Sequence, residues 1–389
     1  MTQKVMQYFK EQNPQILIFK FFLFIWIMSI PFKNSIYQIS FVILNLFFIT
    51  HLLYTKNFNS IKDILYKTRF LTIAFIGIFL SMIISNLLNL QYISTKSWSY
   101  IFLFIFRYGT IFLALAYFYK LEYFSKKEII YFIFSGLILL ALTSIFYIIK
   151  DLEMTRGLSG SLGSRTGFGL FMGLGLVLSF IVIKHKILMP ALTIFFIFFT
   201  IFSFARSSWV ASTVAIAAFI LLNLKTIRKK DILFLITLSA LILILYFGFE
   251  SFQQRFATLM EGNSTHRFFI WSYCVDMIMQ NPIFGYGMDV FRNLPNSPAL
   301  LSPDWNSTHN MILESLLYTG LFGAIFCFWL VSITFFKTLK TKNYQLFAIF
   351  TYIFVVSQFD FGAYMSKELL SFIVIFTFLA YSSNFKESV

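Results

Sequence analysis

Predominantly apolar runs of about twenty residues recur along this whole chain, "ILIFKFFLFIWIMSIPF" at 16–32 being the first. A run of that length crosses a hydrocarbon core as a helix, because in lipid only helices and closed barrels satisfy their own backbone. The runs lack the alternation of barrel strands, so the fold class is an all-α polytopic membrane protein. Twelve transmembrane helices are expected, at about 16–32, 36–53, 70–89, 98–118, 129–149, 166–183, 187–204, 207–224, 232–249, 309–336, 343–359 and 366–382. With so much of the chain in spans, a single bundle over residues 1–389 is the natural domain count. Composition agrees, since 59% of residues are hydrophobic and only 12% are charged, far from a soluble domain. The first run has no small-residue cleavage site and precedes many more spans, so it reads as an anchor. Two cysteines, Cys274 and Cys327, are too few for a disulfide framework.

Lysine and arginine set the expected orientation. With both termini in the cytoplasm, twenty of the 31 cations fall inside and ten outside, and Arg107 falls mid-span. The outer cations are mostly arginine and the inner ones mostly lysine. Lysine suffices as a topology signal, whereas the planar guanidinium fork grips phosphate oxygens bidentately. Arg107 is the oddity, because a charge at mid-membrane costs about 2.5–3.5 kcal/mol on insertion scales and needs a partner in the bundle.

The long extramembrane stretch, about residues 250–308, lies on the outer side. Within it a surface helix is expected at about 264–280, capped by Ser264 or Thr265, with Phe268, Trp271, Val275 and Ile278 on one face. Asn281-Pro282 ends that helix and "FGYGMD" turns the chain. A second loop, "TRGLSGSLGSRTG" at 155–167, carries Arg156 and Arg165 among glycines that serve either as a flexible connector or as a phosphate-approaching loop. Arg206 sits in a very short outer turn between two spans, where it either faces a wet cavity or snorkels to lipid phosphate. "TGLFG" at 319–323 marks a kink, or a break between a dipping helix and a true span. The sequence Asn-Ser-Thr-His occurs twice, ending at His266 and at His309. The second leads into a membrane span, at the boundary between water and lipid; the first leads into the surface helix.

"RSSW" at 206–209, "HRFFIW…NPIFGYGMDVF" at 266–291 and "THNMILESLLYTGLFG" at 308–323 together resemble the O-antigen ligase/polymerase superfamily. The resemblance covers roughly 155–336. It implies a bacterial inner-membrane glycosyltransferase of the membrane-embedded GT-C type with one large periplasmic loop, metal-independent and without cofactor. The donor it implies is a glycan on undecaprenyl diphosphate, and the acceptor a sugar of lipid A–core in lipopolysaccharide. Carried over residue by residue, the catalytic histidine falls on His309 and the diphosphate-binding arginines on Arg206 and Arg267. Arg156, Arg165, Arg292 and Asn310 are further candidates for acceptor or loop contacts, and His266 is expected to matter less. Membrane lipids are its other expected partners, and nucleic acid is not one. Within the family the alternative is a polymerase extending the lipid-linked glycan. Outside it, the alternative is a flippase or transporter of lipid-linked oligosaccharide. Transporters are often built from internal repeats, and none is evident here.

Overall fold

The computed structural model describes residues 13–32, 35–151, 157–224, 247–248, 250, 253–254, 257, 266–302, 305, 307–359 and 366–385. The described residues form an all-α bundle without strands. In chain order the helices are α1 (Pro14–Ser29), α2 (Ser35–Thr55), α3 (Phe58–Lys67) and α4 (Arg69–Leu88). Next, α5 (Thr95–Phe104) runs through a π-helical turn, Ile105–Thr110, into α6 (Ile111–Lys120). Then follow α7 (Lys126–Asp151), α8 (Arg165–Val182), α9 (Leu188–Phe202), α10 (Arg206–Leu222), α11 (Arg267–Gln280), α12 (Met311–Lys340), α13 (Tyr344–Val356) and α14 (Lys367–Tyr381).

Seven of these segments are long and apolar enough to cross a membrane, and four more are shorter apolar helices. They match the expected spans to within a few residues, except that the ninth, 232–249, lies outside the described residues. An unforeseen helix is α3, which carries Lys62, Asp63 and Lys67 and buries only Ile64. Asp63 bridges Lys67 at 3.0 Å and Lys120, at the end of α6, at 2.8 Å. The Lys120 hydrogen bond leads in holding the Asp63 carboxyl below its usual range. This clasp ties α3 to the bundle.

The "TGLFG" segment is a break. Gly320 adopts φ 61 and ψ −168 inside α12, a backbone open essentially to glycine alone. The two halves fold back on each other so sharply that the Ser315 hydroxyl lies 3.6 Å from the Cys327 sulfur. A straight helix would hold those residues about 18 Å apart. Breaking a helix in lipid frees carbonyls on one side and N–H groups on the other, and both sets need partners. The loop after α11 supplies them. The Tyr286 and Gly287 N–H groups donate to the Leu317 and Tyr318 carbonyls at 2.8 and 2.9 Å. The Pro282 and Ile283 carbonyls accept from Leu321 and Phe322 at 2.8 and 3.0 Å. Gly285, at φ 65, lies against Gly320, and a Cβ on it would come within 2.6 Å of the Gly320 nitrogen. The turn expected at "FGYGMD" is thus the plug of the break expected at "TGLFG".

The end of the bundle that carries this plug is called the loop end below. Around it, α9, α10, α13 and α14 are short. α10 has 17 residues and α13 has 13, about 26 and 20 Å at 1.5 Å per residue, against about 30 Å of hydrocarbon.

Candidate functional site

His309 stands on a strap, residues 307–310, that leads into the first half of α12. The next residue fixes the strap. Asn310 is the N-cap, its Oδ1 accepting from the Ile312 and Leu313 N–H groups at 2.9 Å each, the usual service of an Asn at this position. Its Nδ2 donates to the Gln358 carbonyl at 3.1 Å, and the Met311 N–H donates to the Ser357 carbonyl at 2.9 Å. The start of α12 is therefore joined to the end of α13. On the other side the Trp271 indole N–H, from α11, donates to the Thr308 carbonyl at 3.0 Å. His309 itself is half-buried and takes the left-handed backbone, φ 49. Asn310→Ala should cost about 1 kcal/mol of stability through the lost cap, seen as a lower melting temperature in detergent. Asn310→Asp, which keeps the capping oxygen, should lose less.

Arg206 opens α10 after a three-residue turn from the end of α9. The described part of the Gly/Ser loop folds onto that turn, its Leu158 N–H donating to the Phe202 carbonyl at 2.8 Å. A Cβ at Gly157 would come within 2.9 Å of both the Arg165 Cδ and the Phe204 ring. Arg165, at the start of α8, therefore lies beside the turn that presents Arg206. Small residues let these helices approach closely: Gly169 faces Ala205 and Ser208, while Gly173 faces Ser212 and Tyr352. The Tyr352 hydroxyl donates to the Leu170 carbonyl at 2.6 Å. From that shared level Arg206 lies about 9 Å along α10, and Ser357 about 8 Å along α13, toward the loop end. Arg206 and the strap held by Ser357 thus sit at similar depth on neighbouring helices.

Arg267 is the first residue of α11, one turn before Trp271 on the same face, so it stands next to the strap that Trp271 holds. One expectation for this helix is corrected. Its N-cap position is His266, at φ 64 with no side-chain cap, and Ser264 and Thr265 lie outside the described residues. Its buried face is Ile270, Cys274 and Met277, while Phe268 and Val275 are exposed. Apolar side chains thus lie on two sides of the helix, so hydrophobicity alone did not say which side faces the protein. Burial pushes the Cys274 thiol up to about 12, so it packs as an apolar side chain. His266 is exposed, its ring 4.7 Å from that of Trp305.

The structure therefore gathers His309, Asn310, Arg206, Arg267 and Arg165 at the loop end. Arg292 stands apart, exposed on a turn that Asn293 pins to the Tyr92 carbonyl at 2.8 Å. Arg156 lies outside the described residues. The N-termini of α8, α10, α11 and α12 are among those that point at this end, each carrying partial positive charge. Cations at three of those starts oppose their own helix dipoles, at about 0.3–1 kcal/mol each on exposed surfaces. Converging N-termini with guanidinium groups make a ready site for an anion with several oxygens.

Sequence reasoning missed Glu314. It is 0% exposed, in the first turn of α12 just past His309. Its signal was present, for an acid inside an apolar span is a functional candidate by default.

Residues 191–328 match a family model described as O-antigen ligase. An uncharacterized protein of Haemophilus influenzae is 27% identical over 206 residues, covering 45% of this chain and 52% of that protein. The chain thus spans about half the length of the curated relative it matches. The matched family region holds Arg206, Arg267, His309 and the broken helix.

Proposed function

Proceeding from the premise that residues 191–328 are those of the O-antigen ligase superfamily, we propose that the chain is a periplasm-facing glycosyltransferase of lipopolysaccharide assembly. It moves a polysaccharide from undecaprenyl diphosphate to a sugar of lipid A–core. The family implies O-antigen ligase- or polymerase-type activity on lipid-linked glycan. The observation that carries it is the meeting of the His309 strap with the N-termini that bear Arg206 and Arg267.

In this reading the two guanidinium groups and the helix N-termini hold the donor diphosphate. An acceptor hydroxyl oxygen attacks the anomeric carbon of the donor sugar. The bond from that carbon to the phosphate oxygen breaks, and undecaprenyl diphosphate leaves with the electron pair. The hydroxyl proton passes to a ring nitrogen of His309 in its neutral form, in which an imidazole can act as a general base. The arginines offset the charge growing on the leaving diphosphate, which is the larger electrostatic contribution. Chemistry of this kind asks for no metal.

The lipopolysaccharide profile of a deletion strain tests the reading. Loss of a ligase leaves bare core, with polymer retained on the lipid carrier. Loss of a polymerase leaves core capped by a single repeat, and an unchanged profile removes both. In the complemented strain, Arg206→Ala and Arg267→Ala should each lower the amount of polymer-bearing lipopolysaccharide at unchanged protein level. Wild-type transfer by either variant removes that arginine from the donor site.

A further inference from the structure

Glu314 stands directly behind the candidate base, and the reaction as written above makes no use of it. Its side chain is 0% exposed, and among the described residues it and Arg107 are the only charged side chains classed as buried. Taking a carboxylate out of water is costly, so its place needs a reason. An acid in the first turn of a helix commonly serves the unpaired N–H groups there. In α12 that task is already done. The Met311 N–H donates to the Ser357 carbonyl, those of Ile312 and Leu313 to the Asn310 Oδ1, and that of Glu314 itself to the Asn310 carbonyl, each at 2.9 Å. All four donors are satisfied without the carboxylate.

The last of these bonds also fixes where the acid stands. Glu314 lies one turn beyond Asn310, and His309 immediately precedes Asn310, so no more than about 10 Å separates the two α-carbons. Side chains of a helix tilt toward its N-terminus, so that of Glu314 leans toward the strap. Tyr318, one turn deeper and also buried, is within its electrostatic reach. The other acid that reaches Tyr318 is Asp289, and Lys96 pairs with it at 2.9 Å.

We infer that Glu314 is a positioning residue of the transfer reaction: its carboxylate stabilises the imidazolium that forms when His309 takes the acceptor's proton. The inference rests on the reading of His309 as the base. As that proton moves, His309 gains a positive charge near two arginines that serve the diphosphate, and a buried negative charge one turn behind the strap offsets it. Glu314 takes no proton and forms no bond, as with the carboxylate behind the histidine of a serine-protease triad. A unit charge about 10 Å away, at an effective dielectric of about 20, is worth more than tenfold in rate.

Steady-state transfer by the purified full chain tests this, with glycan on undecaprenyl diphosphate as donor and lipid A–core as acceptor. Glu314→Gln keeps the size of the side chain and removes its charge. It should lower kcat at least tenfold with KM for the donor unchanged, and Glu314→Asp should recover most of the loss. Added to His309→Asn, Glu314→Gln should cost nothing further, because the group it acts through is gone. The inference is overturned, with His309 still the base, by a wild-type kcat in Glu314→Gln, by an aspartate variant as slow as the glutamine one, by a loss carried in KM, or by a further loss in the double variant. Full transfer by His309→Asn alone would instead remove the base, and the role of Glu314 with it. A glutamine variant that melts well below wild type in detergent, or fails to accumulate in the membrane, would make the charge structural, and the inference falls.

Discussion

His309→Ala abolishes glycan transfer while the protein remains in the membrane at its normal level: this is the largest functional effect expected. Loss of a positioned general base typically costs about 10²–10⁴-fold, enough to erase polymer-bearing lipopolysaccharide from a gel. Because His309 takes a left-handed backbone, alanine adds some strain at that position. His309→Asn answers this, since asparagine tolerates the conformation and lacks a basic ring. Both variants should be equally inactive, with membrane levels checked by immunoblot. Full transfer by the asparagine variant would remove the base assignment. His266→Ala should keep most of the activity, and equal losses at 266 and 309 would reverse the ranking of the two histidines.

The largest structural effect belongs to Gly320→Ala. The observed backbone is one that alanine adopts only under strain of order 1–3 kcal/mol. Its Cβ would also collide with the Ile283 carbonyl, one of the acceptors that complete the break. Either the plug moves away and unsatisfied backbone is left in lipid, or the helix straightens and the strap is displaced. Both outcomes should appear as low membrane accumulation and a melting temperature well below wild type. Gly248→Ala, where an added methyl meets nothing within 4 Å, serves as the control and should behave as wild type. A normal Gly320→Ala protein would mean that the break is not needed for folding.

The spans were legible because length and apolarity are what a bilayer selects, and those properties are local. "TGLFG" and "FGYGMD" were each legible as irregular, since glycine there signals special backbone, but their mutual contact was not. It joins residues over thirty positions apart, and no periodicity encodes it. Which side of α11 is buried was not legible either. Amphipathic reasoning assumes one polar and one apolar side, and here both sides carry apolar residues. The repeated Asn-Ser-Thr-His proves to have a backbone counterpart, as both histidines adopt left-handed φ directly ahead of a helix. Arg206, Arg267 and His309 were singled out by motif order, through the resemblance. Glu314 was hidden by the habit of treating an apolar run as uniform.

The plug and the break also have an order in time. Synthesis proceeds from the N-terminus, so the carbonyls of Pro282 and Ile283 and the N–H groups of Tyr286 and Gly287 exist before Gly320 leaves the ribosome. When the interrupted helix reaches the bilayer, the groups that will satisfy it are already at hand. A permuted chain in which that loop emerged last would have to insert exposed peptide dipoles into hydrocarbon, each costing several kcal/mol. The gene order of these two segments is therefore itself part of how this helix can be broken at all.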